Sequence, residues 1–273
     1  SGAFFSALTI RLLKGVVEGN TAIWISLLVA VAATAVFSLL HAFACVSLNA
    51  NHVISGTAIN MMALALTVYF ARTITGSGNI SIGAGLSRSN IPLLSDIPVL
   101  GPLFFRQSYP TTWVVALLLL VSWYLLYRTP FGLRLRACGE HPHAADSAGV
   151  NVYRMRTVAV LISGGLAGLG GAIVLVTVAG EFSATVTAGL GFLSLAALIF
   201  GQWKPLGILG ATFFFGTATT VANFSMVFPT FDRIPNGILR AFPYVITLFA
   251  LILSSRSSRA PLAAGQPYDK GQR

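Results

Sequence analysis

The stretch Ile23–Val46, IWISLLVAVAATAVFSLLHAFACV, decides the fold class of this chain. It contains no acidic residue, lysine or arginine, and it exceeds the roughly 20 apolar residues that a helix needs to cross a bilayer. Its apolar side chains follow one another without the alternation of a barrel strand, and only helices and closed barrels satisfy their backbone polar groups inside lipid. The stretch therefore predicts a membrane-spanning helix.

The rest of the chain has a similar composition. Hydrophobic residues make up 55% of the 273 residues and charged residues only 9%, whereas about 25% of the residues in a soluble domain are charged. Further long apolar runs are Trp113–Tyr127, Val158–Val178, Leu206–Val227 and Phe242–Leu253. The chain is therefore predicted to be an all-α polytopic integral membrane protein.

About eight transmembrane helices are predicted within one domain, residues 1–255. The first helix is expected to lack its beginning, because the chain opens inside an apolar segment that has no signal-peptide pattern. The sixth is short and follows the stretch GEFSATVTAGLG, which favours a broken helix beside a cavity, although a short connection between ordinary helices is the alternative. The segments are Ser1–Leu8, Ile23–Val46, Gly56–Arg72, Thr111–Tyr127, Thr157–Gly180, Gly189–Trp203, Leu206–Phe228 and Ile238–Ser255.

The distribution of basic residues predicts the orientation of these helices. Ten of the 17 basic residues lie in the loop 128–156, in the tail 256–273 and at Lys204, which all fall on one side of the membrane when the spans are counted. Cytoplasmic loops collect lysine and arginine. The loop and the tail are therefore predicted to be cytoplasmic and Thr73–Pro110 external. This topology explains the net charge of +10 better than binding of nucleic acid does.

The chain has neither an ATP-binding motif nor a catalytic constellation. A phosphate-binding loop needs a lysine after a glycine, but the three lysines follow Leu13, Trp203 and Asp269. Proton-coupled carriers usually bury an acidic residue within a span. The seven acidic residues lie in predicted loops or at helix ends, and only Glu181 is near a broken helix. The positions of the acidic residues therefore disfavour a carrier that works without a separate ATPase. A secondary carrier or channel for a small polar solute is kept as the alternative function.

No metal ligands and no cofactor are predicted for this chain. His141 and His143 are two residues apart and diverge on a helix. His41 and His52 are predicted to lie near the membrane interface. The two cysteines occupy different environments, an apolar run and a polar loop, so a disulfide is not expected.

A polar island, GEHPHAADSAGV at Gly139–Val150, lies between arginine-bearing flanks. Pro142 suits the first position of a helix and Gly149 a left-handed stop, so a short helix is predicted between them. A helix of this length is marginal alone, but its alanine-rich face can enter a groove of another protein. An ordinary amphipathic loop helix is the alternative. The alanines of the predicted face are Ala144, Ala145 and Ala148.

The sequence GLRLRACGEHPHAADSAGVNV resembles the cytoplasmic coupling segment of the branched-chain amino acid, ribose and nucleoside family of ABC importer permeases. The family pattern is matched at Gly132, Arg136, Ala137, Gly139, Pro142, Ala144, Ala145 and Gly149. Within this family, the stretches NHVISGTAINMMALALT, AGLGFLSLAALIFGQWKPLG, FPYVITLFALI and PLAAGQPYDK are most similar to the branch for nucleosides and simple sugars. That branch normally begins with a further span, whose substrate contacts cannot be placed on this chain.

The resemblance implies a permease subunit of an ATP-binding cassette importer in the bacterial plasma (inner) membrane. Its expected partners are a cytoplasmic ATPase that binds ATP and Mg²⁺, a second permease subunit that is either identical or a sister chain, and an extracytoplasmic substrate-binding lipoprotein. The substrate implied is a nucleoside or a simple sugar. The residues assigned to ATPase coupling are Arg136, Gly139, Glu140, Pro142, Ala144, Ala145 and Gly149.

Two further predictions concern the membrane helices. Polar residues in spans tend to face the bundle interior, and an aromatic ring can stack on a nucleobase, so a substrate path is predicted at Thr57, Asn60, Glu181, Phe192 and Asn223. For each, a hydrogen bond between helices, or ordinary packing, is the alternative. The stretch SGGLAGLGGA predicts a small-residue face for close helix packing, formed by Gly164, Ala167, Gly168 and Gly171.

Overall fold

The structure is a computed structural model that describes residues 1–83, 85–90, 95, 105–225, 245, 248 and 260–271, with the backbone alone at 222–225. The described chain is dominated by α-helices, which confirms the predicted helical class. It divides into two compact units. The first contains Ser1–Ala188 and Ala263–Arg273, and the second contains Gly189–Leu262.

The first unit contains seven helices in the described part of the chain. Two of them, α2 and α7, continue into short π-helical turns, Phe43–Ser47 and Leu175–Ala179. The helices are α1 (Gly2–Leu13), α2 (Gly19–Ala42), α3 (His52–Thr75), α4 (Pro110–Arg128), α5 (Pro130–Glu140), α6 (Pro142–Ser147) and α7 (Val152–Val174).

Four helical segments are long and apolar enough to cross a membrane by length and composition: Gly19–Ser47, His52–Thr75, Pro110–Arg128 and Val152–Ala179. Three shorter apolar helices correspond to the predicted first, sixth and seventh spans. The predicted eighth span, Ile238–Ser255, lies outside the described residues apart from two isolated positions.

Helices α1, α2 and α7 form the core of the first unit. Their contacts are close because small residues face one another. The hydroxyl groups of Ser6 on α1 and Ser26 on α2 are fully buried and hydrogen-bonded at 2.9 Å, so neither polar group is left unpaired. Apolar side chains such as Phe4, Leu27 and Leu175 fill the space between the three helices.

The predicted small-residue face of α7 is confirmed on one side of the helix. A Cβ atom on Gly168 would overlap the side chain of Thr34 on α2, and one on Gly164 would overlap Ser38. A Cβ on Gly171 would lie 3.3 Å from the backbone nitrogen of Ala3 on α1. Ala167 differs from the prediction, because it is exposed and does not belong to this contact.

Helices α3 and α4 bury few of their side chains in the described chain. Only 6% of the most apolar part of each helix is buried. Large apolar side chains on their surfaces suit contact with lipid or with another protein. The most exposed of these are Val53, Met61, Ile54, Tyr69, Leu117 and Leu120.

A small antiparallel sheet, which the sequence analysis did not predict, joins the ends of α3 and α7. Strands β1 (Ile80–Ser81) and β2 (Glu181–Phe182) pair with Ile80 opposite Phe182 and Ser81 opposite Glu181. The all-α description needs this correction. Two-residue strands show no period-2 pattern in sequence, since the pairing depends on contact between distant segments.

The opposite end of α7 carries the polar segments of the first unit. The guanidinium of Arg156, near the beginning of α7, donates a hydrogen bond to the backbone carbonyl oxygen of Gln266 in the tail, at 2.8 Å. The sheet lies at the other end of the same helix, past a run of 28 residues. The loop 128–156 and the tail thus lie at one end of this unit and Ile80–Ser81 at the other, as the predicted topology requires.

In the second unit, α8 (Leu190–Phe200) and α9 (Pro205–Ser225) form a helical hairpin. Helix α8 has 11 residues and spans about 17 Å at 1.5 Å per residue, which is too short for a bilayer core of about 30 Å. Successive turns precede it rather than a helix. The predicted short helix after a broken stretch is confirmed. The hairpin core contains Ala197, Ala211 and Phe215.

Candidate coupling element and substrate path

Helix α5 turns back sharply at the end of α4. Thr129 caps it, because its hydroxyl accepts a hydrogen bond from the Gly132 amide at 3.3 Å and donates one to the Leu125 carbonyl at 2.6 Å. A Cβ atom on Gly132 would overlap the backbone of Leu125 and Leu126, so only glycine fits this approach. The sequence analysis predicted a loop with one short helix here, and the structure adds α5 before it.

Arg136 is exposed on α5 and contacts the end of α4. Its guanidinium lies 4.9 Å from the centre of the Tyr127 ring, and its Nε donates to the Gly132 carbonyl at 3.4 Å. Arg128 makes a similar contact with Trp123 at 5.8 Å. Cation–π contacts of this kind fix the arginines against the aromatic end of α4.

The predicted short helix is confirmed as α6, and so are its start and its stop. Pro142 occupies the first turn, and Gly149 has a left-handed φ of 83° just after the helix. The side chain of Asn151 then caps α7 by accepting a hydrogen bond from the Arg154 amide at 3.0 Å. A six-residue helix therefore lies between α5 and the first long span that follows.

The alanines of α6 do not share one face as predicted. Ala144 and Ala148 are exposed, with Gly149 beside them, and they are four residues apart on one side of the helix. Ala145 is only 5% exposed and packs inside the chain. The prediction that Ala145 lies on the outward face is therefore wrong, because a position one residue along a helix is rotated by about 100°.

The C-terminal tail covers the inward face of α6. Tyr268 is 3% exposed and forms a small core with Cys138 of α5, Ala145 of α6 and Val152 of α7. Its ring centre lies 5.0 Å from that of His143 and 5.3 Å from that of Tyr153. Sequence reasoning assigned the tail to the cytoplasm but missed this contact. The only signal was a single aromatic residue in an otherwise polar stretch.

Burial changes the acidity of two groups in this core. It raises the pKa of the Cys138 thiol, and the positive charge of Arg156 offsets this only in part. Burial also raises the pKa of Tyr268, and the negative charge of the Asp146 carboxylate adds to the shift. Both groups are therefore protonated and uncharged near neutral pH.

The remaining predicted coupling residues frame this core. The carbonyl of Gly139 accepts a hydrogen bond from the backbone amide of Ala263 in the tail, at 2.9 Å. Glu140 ends α5 and is exposed. The predicted set thus lies together on α5, α6 and the turn after α6.

Within the first unit, the structure does not bring the predicted substrate-path residues together. Thr57 and Asn60 are exposed on the first half of α3, and the Thr57 hydroxyl donates to the Ile54 carbonyl of its own helix at 2.9 Å. Glu181 is exposed in β2, at the end of the unit where α3 finishes. In the second unit, Phe192 is 76% exposed on α8. The side chain of Asn223 lies outside the described residues.

A cavity of about 240 Å³ opens near the beginning of α4 and the end of α7. Three threonine hydroxyls and one tyrosine give it a partly polar wall, but none of the predicted substrate-path residues lines it. Thr177 directs its hydroxyl to the Ile173 carbonyl of its own helix at 2.7 Å. The lining residues are Tyr109, Thr111, Thr112, Val115, Ile173 and Thr177.

His41, Cys45 and His52 form a cluster whose potential ligand atoms lie within 4.8 Å of one another. The Cys45 sulfur is 3.6 Å from Nδ1 and 3.8 Å from Nε2 of His41, and Nδ1 lies 2.9 Å from the Ser55 hydroxyl. In a tetrahedral metal site, the lone pairs of all ligand atoms point to one metal position. The Cys45 sulfur is almost equidistant from both ring nitrogens of His41, so neither nitrogen directs its lone pair to a position that the sulfur shares. The geometry fits a local hydrogen-bond network better than a metal site.

Apolar helices, a short helix with exposed alanines and a broken helical stretch define a class of protein, the membrane subunit of a transporter. Comparison with known proteins gives the same class. The chain belongs to the family described as branched-chain amino acid transport system / permease component, whose pattern matches residues 1–251.

Individual relatives cover almost the whole chain. The guanosine ABC transporter permease protein NupQ of Bacillus subtilis (strain 168) is 45% identical over 273 residues, 100% of this chain and 85% of the relative. The nucleoside ABC transporter permease protein NupC of Lactococcus lactis subsp. cremoris (strain MG1363) is 41% identical over 268 residues, 98% of this chain and 84% of the relative. No solved structure gives a significant match. The chain is a permease subunit of an ABC transporter and not an enzyme.

Proposed function

We propose that this chain is the membrane permease of an ABC importer for nucleosides in the bacterial plasma (inner) membrane. The observation that carries the proposal is the 45% identity to a guanosine permease along the entire chain. A putative glucose permease of Haloferax volcanii is 35% identical but covers only 73% of the chain, which favours nucleosides over sugars. The alternative from the sequence, a secondary carrier or channel, is set aside because the chain belongs to a family of ABC transporter permeases.

In this proposal about eight spans cross the membrane, with the loop 128–156 and the tail in the cytoplasm. Thr57, Asn60, Glu181, Phe192 and Asn223 remain the proposed substrate path. A substrate-binding lipoprotein delivers the nucleoside from outside. The exposed positions of Thr57 and Asn60 on α3 suit a path completed by another subunit, since polar side chains in spans avoid lipid.

The partner permease in this proposal is a sister subunit. Besides NupC, the nucleoside ABC transporter permease protein NupB of the same Lactococcus strain matches the chain, at 28% identity over 141 residues. Two permeases of one organism that bear the same description support a pair of related but different chains around one path. The weakly buried surfaces of α3 and α4 offer an apolar face for such a partner.

ATP and Mg²⁺ bind to the separate ATPase subunit, and α6 transmits its motion. Ala144 and Ala148 form a low-profile face that can enter a groove, which is how amphipathic helices commonly dock. Arg136, held on the Tyr127 ring, places a positive charge on α5, the helix that precedes α6. Gly139, Glu140, Pro142 and Gly149 set the position of α6 between the spans.

Replacement of Ala148 by arginine tests this assignment, since Ala148 is exposed and its replacement disturbs no internal contact. We expect normal membrane insertion, loss of copurification with the ATPase, and at least about a tenfold fall in nucleoside uptake, because a bulky charge blocks seating. Ser87→Arg, exposed at the opposite end of the unit, is the matched control. Full association and parental uptake in Ala148→Arg would show that α6 is not the coupling helix.

A further inference from the structure

The C-terminal tail is packed onto the proposed coupling element and onto the beginning of α7. Tyr268 is 3% exposed and closes the core formed by Cys138, Ala145 and Val152. These three residues belong to α5, α6 and α7 in turn. One side chain from the end of the chain therefore contacts three consecutive helices.

Aromatic and cationic groups hold the Tyr268 ring from different sides. The rings of His143 on α6 and Tyr153 on α7 lie at 5.0 Å and 5.3 Å from it, in tilted arrangements. The Arg156 guanidinium lies 5.9 Å from the ring centre. Such contacts are directional as well as apolar, so they fix the position of the ring.

Polar contacts attach the tail to the same three helices. Ala263 donates its backbone amide to the Gly139 carbonyl of α5, and Arg156 of α7 donates to the Gln266 carbonyl at 2.8 Å. On α6, Asp146 pairs with Lys270 at 3.6 Å. The tail thus connects α6 to both of its neighbours.

Helix α6 needs such a connection to transmit force. Six residues are too few for a stable isolated helix, and non-helical residues lie at both of its ends. Motion of a loosely attached helix would be absorbed by these flanking residues rather than passed to α7. The tail contacts make α5, α6, and the beginning of α7 one packed body.

We propose that tail residues Ala263–Lys270 act as an intramolecular brace that locks α6 onto α7, with Tyr268 as the positioning residue. The proposal rests on the proposed function, since it assumes that α6 docks on the ATPase. The brace converts movement of α6 into movement of α7. Its loss uncouples ATP hydrolysis from transport rather than removing the docking face.

The test compares Tyr268→Ala, Tyr268→Leu and Tyr268→Phe in the complete transporter, with Phe43→Ala as the control. Phe43 is 60% exposed in the turn after α2 and lies outside both the brace and the proposed partner face of α3 and α4. The readouts are nucleoside uptake, ATP hydrolysis, copurification with the ATPase, and alkylation of Cys138 in a Cys45→Ser background. Cys45 is the other cysteine of the chain, so this background reports on Cys138 alone.

For Tyr268→Ala we expect at least about a tenfold fall in nucleoside transported per ATP hydrolysed, with the ATPase still bound. Alkylation of Cys138 should rise by a similar factor, because the side chain that covers it is gone. Tyr268→Phe should stay near the parental ratio since it keeps the ring. Tyr268→Leu, which keeps an apolar side chain in the core, should be uncoupled even if Tyr268→Ala does not accumulate in the membrane.

The outcomes separate the brace from the docking assignment. If Ala148→Arg abolishes ATPase association while Tyr268→Ala and Tyr268→Leu transport at the parental ratio per ATP, the brace is wrong and the coupling helix stands. If Ala148→Arg has no effect, the docking assignment itself fails. An unchanged alkylation rate of Cys138 in Tyr268→Ala would show that the tail does not cover this core.

Discussion

At the scale of single residues, burial separates the roles within the short polar segment. Ala144 and Ala148 are exposed, whereas Ala145 is packed beneath Tyr268. A small side chain at 145 is needed for internal packing, because a larger one would displace the tail. Ala145 therefore serves the structure of the coupling element, and a substitution there cannot test docking alone.

Cys138 should be a poorly reactive thiol whose alkylation needs alkaline solution. Its side chain is 2% exposed, and burial raises its pKa, so the reactive thiolate is scarce near neutral pH. In a Cys45→Ser permease, the rate of alkylation plotted against pH should reach its midpoint at higher pH than for a cysteine at exposed position 87. Equal midpoints would contradict the burial of Cys138.

The same shift has a consequence for stability. The folded state favours the protonated thiol, so the contribution of Cys138 to stability is intact below the ordinary thiol pKa. It is lost progressively as the pH rises through the interval between the ordinary and the raised pKa. The raised pKa of Tyr268 also lowers stability as the pH rises, but in the higher pH range in which a phenol ionises. Release of the tail is therefore expected on the alkaline side.

At the scale of elements, α7 depends on glycine for its contact with α2. Lipid tails are as apolar as the helices, so close van der Waals packing stabilises this contact. Gly168 faces Thr34, whose hydroxyl donates to the Ala30 carbonyl at 2.6 Å and so leaves no unpaired group in the contact. The contact is therefore formed by small residues, and the hydroxyl group within it is hydrogen-bonded.

Gly168→Leu should destabilise the permease, whereas Gly170→Leu should not. A side chain at 168 overlaps α2, and overpacking of this kind costs about 1–3 kcal/mol or more. A Cβ at Gly170 meets no atom within 4 Å, so this variant controls for loss of a glycine in the same helix. Thermal stability in detergent and the amount of protein in the membrane measure the difference. Equal stability of the two variants would rule out the tight contact.

At the scale of the whole molecule, the first unit is polarised along α7. The sheet lies at one end, and the loop 128–156 with the tail lies at the other. The loop 128–156 and the tail, which their basic residues assign to one side of the membrane, are adjacent in space within this unit. Their assignment to the cytoplasm follows from the charge rule and stays a prediction.

Cysteine labelling in intact cells tests that assignment. In a permease without native cysteines, Ser87→Cys should react with an impermeant reagent added outside, and Ala264→Cys should react only after the membrane is opened. Both positions are exposed, so burial does not decide the result. The reverse pattern would invert the topology.

Much of the fold could be predicted because its signals are local. The span of α2 follows from its apolar run, and the start and stop of α6 follow from Pro142 and Gly149. Helix α5 was missed, since its few apolar residues lie in an arginine-containing loop. The strands β1 and β2 were missed because each has two residues and pairs with a segment about 100 residues away.

The sequence by itself determined the class of the protein, because hydrophobicity, helix signals and the coupling pattern are all properties of short segments. The bilayer acts directly on the apolar segments among them. Only the tertiary structure decided which face of α6 is free. That choice depends on Tyr268, which comes from a distant part of the chain and is fixed by packing and charge together. Local propensity carries no information about such a contact, because its free energy exists only when the two segments meet.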